Sequence, residues 1–332
     1  MKFFIVVLIG LSLVFFVAFM AVFIRKTKFK QSEELDIVTW LHVAFGELTE
    51  EEKKKYEEYK AQKDKEDKEQ KDFVERIENA KKENQSLEQI MLIFDELTKK
   101  YPYYAYFIEK ADLYIENKKY DKALCEYKKA IGSITPRTFY QYKSYTYHLI
   151  SDMYLDIENY HNAIKYASKA ISVHKGGYVD VDFVEDFTFD PLMYSKDMAF
   201  EDRAEIYFKI KKYDLALKDV KKAIAECALN SRLIFHIKIL IGLKRYDEAE
   251  KLCIKYFQIN EYNFANYNAC KGYIAHAQND FTGAFEFYTK ALKEQKDILC
   301  FYETDTVRKN RVECYKIIKN AVWPLLLEFY EN

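Results

Sequence analysis

The stretch Ala111-Asp112-Leu113-Tyr114-Ile115-Glu116-Asn117-Lys118-Lys119-Tyr120-Asp121-Lys122-Ala123-Leu124-Cys125-Glu126-Tyr127-Lys128-Lys129-Ala130 decides the fold. Its small and aromatic residues Ala111, Tyr114, Tyr120, Ala123, Tyr127 and Ala130 follow one another at steps of 3, 6, 3, 4 and 3. The same steps recur at Ser151, Tyr154, Tyr160, Ala163, Ala167, Ala170 and at Ala204, Tyr207, Tyr213, Ala216, Val220, Ala223. They recur again at Gly272, Ala275, Phe281, Ala284, Tyr288, Ala291 and, more loosely, at Ile237, Leu240, Tyr246, Ala249, Cys253, Tyr256. Steps of three and four hold residues on one helical face, and the polar step of six marks where one helix turns into the next. Each copy is therefore a helical hairpin. A single hairpin cannot bury its own apolar face, so the copies must stack on one another.

This pattern resembles the tetratricopeptide repeat family over roughly residues 70 to 296. The resemblance implies an all-α, right-handed α-solenoid of five to six hairpins, with small residues such as Ala111, Ser151, Ala204 and Gly272 at the helix crossings. Tyr120, Tyr160, Tyr213, Tyr246 and Phe281 fill the turns, and Ala123, Ala163, Ala216, Ala249 and Ala284 admit the neighbouring hairpin. A degenerate unit is expected ahead of them. There Ser86 and Gln89 have the spacing of a capping box, and Ile90, Phe94 and Leu97 precede Pro102. The chain departs from the family in its openings, where only Tyr147 and Phe200 supply the usual aromatic. The alanine-to-alanine intervals of 40, 53, 33 and 35 residues leave room for insertions at two junctions.

Composition agrees with stacked helices, because 8 Gly and 4 Pro in 332 residues are too few for a many-turned sheet protein. The 52 basic and 53 acidic residues balance to a net charge of -1, which gives no reason to expect nucleic acid. Six scattered cysteines lack metal-ligand spacing and read as reduced thiols, with Cys125, Cys227 and Cys253 expected to pack within repeat helices. The first residues are a different material. Phe3 to Ile24 is a run of 22 uncharged residues, long enough at about 1.5 Å per residue to cross a bilayer. Arg25, Lys26, Lys28 and Lys30 follow at once, which favours a single-pass anchor with the bulk of the chain cytoplasmic; the alternative places it outside the cytoplasm.

The expected divisions are an anchor and basic flank at 1–30 and a juxtamembrane helix with a charged linker or stalk at 31–68. A degenerate first repeat at 69–103 and a solenoid at 104–296 follow, the latter with an acidic insertion at 176–195; a capping helix and tail occupy 297–332. Ser32 begins an apolar segment at 33–45 that includes Trp40, and it reads equally as an interfacial helix or as packing on the first unit. Thr49 and Glu52 have capping-box spacing. Residues 62–72, which carry no apolar side chain, read as a solvated helix or a disordered stalk. The insertion alternates Val179, Val181 and Phe183 with Asp180 and Asp182, so a short extended ribbon is plausible there. Pro324 is expected to end the last helix and let Leu325 to Tyr330 fold back.

No motif for catalysis, a cofactor or a metal stands out, and no small-molecule substrate is evident; the acidic insertion fits no familiar cation loop. The functional surface expected from the resemblance is the concave groove formed by the first helix of each hairpin. Projected through the frame, its residues are Asp112, Glu116, Tyr145, His148, Asp152, Asp156, Glu201, Glu205, Lys238, Tyr273 and His276. The places where family members clamp a terminal carboxylate hold Ile108, Asp112, Leu149, Met198 and Asp202, so that clamp is absent. With no inward Lys or Arg on the two helices that carry Asp152, Asp156, Glu201 and Glu205, the groove should favour a basic protein segment. The expected role is a membrane-tethered scaffold or adaptor, the alternative an extracytoplasmic envelope-assembly or chaperone factor with the same solenoid.

Overall fold

The computed structural model describes residues 50–134, 140–174, 194–257, 264–293 and 301–331. The expected anchor at 3–24, the segment at 33–45, the Thr49–Glu52 capping pair, the insertion from 176 to 193 and the side chains of the tail at 325–330 lie outside the described residues. All described elements are α-helices, and the chain divides into two compact units between Tyr101 and Pro102. Among the described residues no helix is long and apolar enough to cross a membrane.

In the first unit α1 (Glu50–Lys82) packs against α2 (Leu87–Lys100). Pairs four residues apart line α1: Lys55–Glu51 at 2.8 Å, Lys82–Glu78 at 3.7 Å and Lys54–Glu58 at 4.0 Å. Exposed pairs of this kind each contribute only about 0.3–0.5 kcal/mol. The stretch at 62–72 is helical, and it is more than a solvated spacer. Glu69 accepts a hydrogen bond from Tyr101 Oη at 2.5 Å and another from Lys100, which ties α1 to the end of α2. The expected capping box opens α2: Gln89 N–H donates to Ser86 Oγ, and Ser86 N–H donates to the Gln89 side chain. Ile90, Phe94 and Leu97 are buried along its inner face.

The second unit contains five hairpins and a closing helix. The pairs are α3 (Tyr104–Glu116) with α4 (Tyr120–Ser133), α5 (Tyr140–Asp156) with α6 (Tyr160–Val173), and α7 (Lys196–Lys209) with α8 (Tyr213–Glu226). Next come α9 (Asn230–Gly242) with α10 (Tyr246–Phe257) and α11 (Phe264–Ala277) with α12 (Phe281–Lys293). The closing helix α13 (Phe301–Glu331) packs on α12. Each helix contacts its neighbours in chain order, and the first helices α5 with α7 and α9 with α11 also meet directly.

The turn inside every hairpin is built the same way. Lys118, Glu158, Lys211, Lys244 and Asn279, each two residues before the turn aromatic, take left-handed φ values of 57°, 56°, 60°, 58° and 65°. The next residue then donates its N–H back across the turn: Lys119 to Tyr114 O, Asn159 to Tyr154 O, Lys212 to Tyr207 O, Arg245 to Leu240 O and Asp280 to Ala275 O, all at 2.8–2.9 Å. This is a Schellman closure, and it satisfies a carbonyl that the ending helix would otherwise leave orphaned. The acceptors are the second members of the sequence frame. The polar step of six is thus the length of this closure. Asn84, φ 53°, with Gln85 N–H on Ala80 O, repeats the device between α1 and α2.

The small residues of the frame sit where helices cross. Ala111, Ala123, Ala163, Ala204, Ala216, Ala249 and Ala284 are fully buried, and Ser151, the polar member of the set, donates its hydroxyl to Ala163 O at 2.8 Å. At Gly272 a Cβ would lie 2.5 Å from the ring of Tyr288, and at Gly242 one would lie 2.6 Å from the ring of Tyr213. Arg203 of α7 links α8 to α6 of the preceding hairpin, donating from Nε and Nη2 to Asp219 at 2.7 and 2.9 Å and from Nη1 to Ser168 Oγ at 3.0 Å. Two expectations need correction. α13 runs through Pro324 instead of ending there, since a proline forfeits one backbone bond but the flanking turns can carry the helix. Cys125 and Cys227 are exposed, whereas Cys253 is buried as expected.

Two substitutions test this geometry in thermal melts of the full chain. Gly272→Ala should lower the melting temperature, since overpacking costs about 1 to 3 kcal/mol against a helix-propensity gain of about 1 kcal/mol. Lys211→Asn should raise it, because asparagine tolerates the left-handed conformation better than lysine does.

Candidate functional site

Helices α5 and α7 are the first members of adjacent hairpins, and their direct packing brings together side chains far apart in sequence. His148 is the meeting point. Its Nδ1 lies 2.9 Å from Asp202 Oδ2 on α7, and its Nε2 lies 3.4 Å from Asp152 Oδ2, one turn further along α5. Tyr194, just ahead of α7 and buried, donates its hydroxyl to the same Asp202 oxygen and stacks on the His148 ring at 4.9 Å between centroids. Tyr145 flanks both, 5.8 Å from His148 and 5.9 Å from Tyr194. One imidazole thus bridges two carboxylates from two hairpins, on a platform of aromatic rings.

The electrostatics follow from that crowding. Burial alone would lower the His148 pKa, but Asp202, Asp152 and Glu205 overcome it and raise it to about 9. Asp152 is pushed up to about 6, first by burial and then by Asp202 and Asp156, while His148 opposes the shift. Glu205 rises to about 7 through burial together with the negative charges of Asp202, Glu201 and Asp152. At neutral pH the cluster holds more carboxylate than its single imidazolium can balance. It can accept cationic hydrogen-bond donors.

The expected groove residues divide into four sets. Tyr145, His148, Asp152 and Glu205 belong to the cluster, and exposed Asp156 adds its charge beside Asp152. Asp112 holds the Tyr127 hydroxyl at 2.8 Å and is raised by burial, with Glu116 contributing the same way. Glu201 is already taken. The guanidinium of buried Arg232, on α9, donates to Glu201 at 2.6 Å, to Asp197 at 2.5 Å and to Cys227 O at 2.9 Å. The expectation of an unneutralised quartet therefore reduces to a smaller set, because the compensating cation comes from the following hairpin. Tyr273 is only 7 % exposed, packed edge-on against Tyr288 beneath the Lys238 ammonium, and is a core residue rather than a groove residue. His276 faces the Tyr288 hydroxyl at 3.4 Å within the same α11–α12 hairpin.

Two cluster residues, and the cation beside them, are not among the expected groove residues. Asp202 is read from sequence only as an occupant of a clamp position, Tyr194 stands outside the repeat frame, and Arg232 lies on the helix from which the frame projects Lys238 alone. The spacing of Asp202, three before Glu205, was the one available signal, since residues three apart share a helical face.

Residues 144–173, which span most of α5 and all of α6, match the family model of the tetratricopeptide repeat. Among solved structures, the chain is similar to the C-terminal part of a TPR repeat-containing protein from Cytophaga hutchinsonii: 14% identity, TM-score 0.47, covering 75% of this chain and 97% of that one. It is also similar to pilF of Pseudomonas aeruginosa, with 14% identity, TM-score 0.43 and coverage of 72% and 98%. YrrB, described as a TPR protein with an unusual peptide-binding site, shows 16% identity, TM-score 0.40 and coverage of 65% and 97%. A comparison with curated proteins found no match.

The raised carboxyl of Glu205 makes stability depend on pH in a definite direction. A carboxyl whose folded pKa, about 7, lies above its ordinary value of 4.5 binds its proton more tightly when folded. Its ionisation therefore disfavours the fold progressively as pH rises between those values. Glu205→Gln should leave the urea midpoint unchanged near pH 4 and raise it at pH 8.

Proposed function

We propose that the chain is a membrane-tethered interaction module whose α5–α7 face takes a lysine- or arginine-bearing segment of a partner protein. The observation that carries this reading is the juxtaposition of Asp152, Asp202 and Glu205 around one imidazole, on the first helices of adjacent hairpins. The carboxyls of Asp152 and Glu205 are raised first by burial and then by the neighbouring carboxylates, so their ionised forms are held at a cost. An arriving guanidinium or ammonium offsets that cost, and a charge-assisted hydrogen bond contributes about 1.5–3 kcal/mol. Tyr145 offers a ring face beside the carboxylates for the stem of such a side chain. The reading is one of binding, and no reaction is assigned to the cluster.

The tether rests on sequence alone: the uncharged run from Phe3 to Ile24 and the basic residues Arg25, Lys26, Lys28 and Lys30 behind it. With that orientation the hairpins face the cytoplasm, and protease applied to the outer face of intact cells leaves them whole.

Binding is tested with an acetylated and amidated arginine–serine peptide, against an acidic peptide of the same length. The basic peptide should bind and the acidic one should not, and binding should tighten from pH 5 to pH 8 as Asp152 and Glu205 ionise. Asp152→Lys combined with Glu205→Lys should weaken binding by roughly tenfold or more, with helicity retained by circular dichroism. Exposed Lys128→Glu, on α4, should leave it unchanged. Equal binding by the double variant would place the partner elsewhere.

A further inference from the structure

A second site lies away from the acidic cluster and shares no residue with it. Helices α8, α9 and α10 line an open cavity of about 430 Å³, within the range of roughly 300–1,000 Å³ usual for small-ligand sites. His236, on α9, lines it and is only 4 % exposed. Neither of its ring nitrogens has a hydrogen-bond partner among the described residues. A buried imidazole normally satisfies at least one of them. Burial, with Lys221 and Arg245 nearby, lowers its pKa to about 4, so at neutral pH it presents one N–H donor and one bare acceptor.

The rest of the cavity has two characters. Ile224 on α8, Leu240 on α9 and Leu252 on α10 give it apolar walls, and the Tyr256 ring stands 6.5 Å from the His236 ring between centroids. Exposed Lys221 and Lys251 also line it, one from each flanking helix. The single carboxylate of the lining, Glu248, has both oxygens held by Arg245, at 2.6 Å each. The acid is therefore already matched, and the two ammonium groups leave the cavity positive. A ligand suited to it has an apolar body against the leucine and isoleucine walls and one anionic end. The lysines would neutralise that end, and the His236 N–H would donate to it. The cation-rich lining disfavours a basic group, and a wholly apolar ligand would leave the imidazole unsatisfied.

We propose that the cavity between α8 and α10 binds an organic carboxylate with a compact apolar body, held by Lys221, Lys251 and His236. Such a group is supplied either by a free small acid or by the C-terminus of a chain ending in an apolar residue.

The test uses the full chain with ring-labelled histidines, in which the His236 signal is assigned by its loss in His236→Gln. 3-Phenylpropionate should shift that signal saturably, and 3-phenylpropan-1-ol, of the same body without the charge, should bind at least tenfold more weakly. Lys221→Gln with Lys251→Gln should weaken the acid at least tenfold and leave the His148 signal in place. An acetylated dipeptide ending in phenylalanine distinguishes the sources. Displacement by its free acid but not by its amide assigns the site to a chain terminus, and no displacement by either assigns it to a free small acid. The proposal is overturned if 3-phenylpropionate leaves the His236 signal unmoved at about 10 mM, the weak end of measurable binding. It is equally overturned if the alcohol binds as well as the acid, if the amide binds as tightly as the free acid, or if the double lysine variant binds unchanged.

Discussion

Everything in the second unit depends on how tightly one helix can reverse onto the next. The reversal requires a left-handed residue at each turn, and in this chain lysine, glutamate and asparagine occupy that position instead of glycine. Left-handed backbone disfavours a residue with a Cβ by roughly 1–2 kcal/mol, so the conformation persists because other contacts impose it. The back-bond from the following N–H satisfies a helix carbonyl, and the turn aromatic fills the space beside it. The helix crossings are held close by residues too small to separate the helices, such as Gly272, where a Cβ would lie 2.5 Å from the Tyr288 ring. Five such closures give a stack of hairpins.

The chemistry of the candidate site is a consequence of that stacking. Stacking brings first helices such as α5 and α7 side by side, so residues on their shared face meet whatever their charges. Where the charges are complementary they are consumed, as when Arg232 takes both Glu201 and Asp197. Where they are alike, burial first and the neighbouring carboxylates second raise the carboxyl pKa values of Asp152 and Glu205, partly offset by His148. Unrelieved repulsion on a rigid face is a preorganised receptor for positive charge. The cavity at His236 lies elsewhere on the same stack, lined by residues of α8, α9 and α10.

The fold was legible because its determinants are periodic. Steps of three and four report helix faces, and the constant step of six reports a turn of constant construction, so burial of Ala111, Ala123 and Ala216 follows from spacing alone. The site was only half legible. Spacing along α5 puts His148 and Asp152 one turn apart, but it could not show that Asp202 and Glu205 of α7 lie opposite them. Glu201 and Glu205 look equivalent in sequence, four residues apart on α7, yet one is bound by Arg232 from the next hairpin and the other is not. Tyr273 follows the inward pattern but is drawn into the core, because its ring packs on that of Tyr288, the frame residue of the partner helix. Pro324 was misread for the opposite reason: a strong local signal for a helix end was outweighed by the helix around it.

The most direct test is the titration of His148, followed by its imidazole resonances in the native chain and in Asp202→Asn. The bridge between Asp152 and Asp202 requires an apparent pKa well above the ordinary histidine value of 6.5, near 9, and a fall toward 6.5 when the Asp202 charge is removed. A native value at or below 6.5, or one that Asp202→Asn leaves unmoved, would mean that α5 and α7 do not bring these carboxylates together, and the receptor for positive charge would not exist.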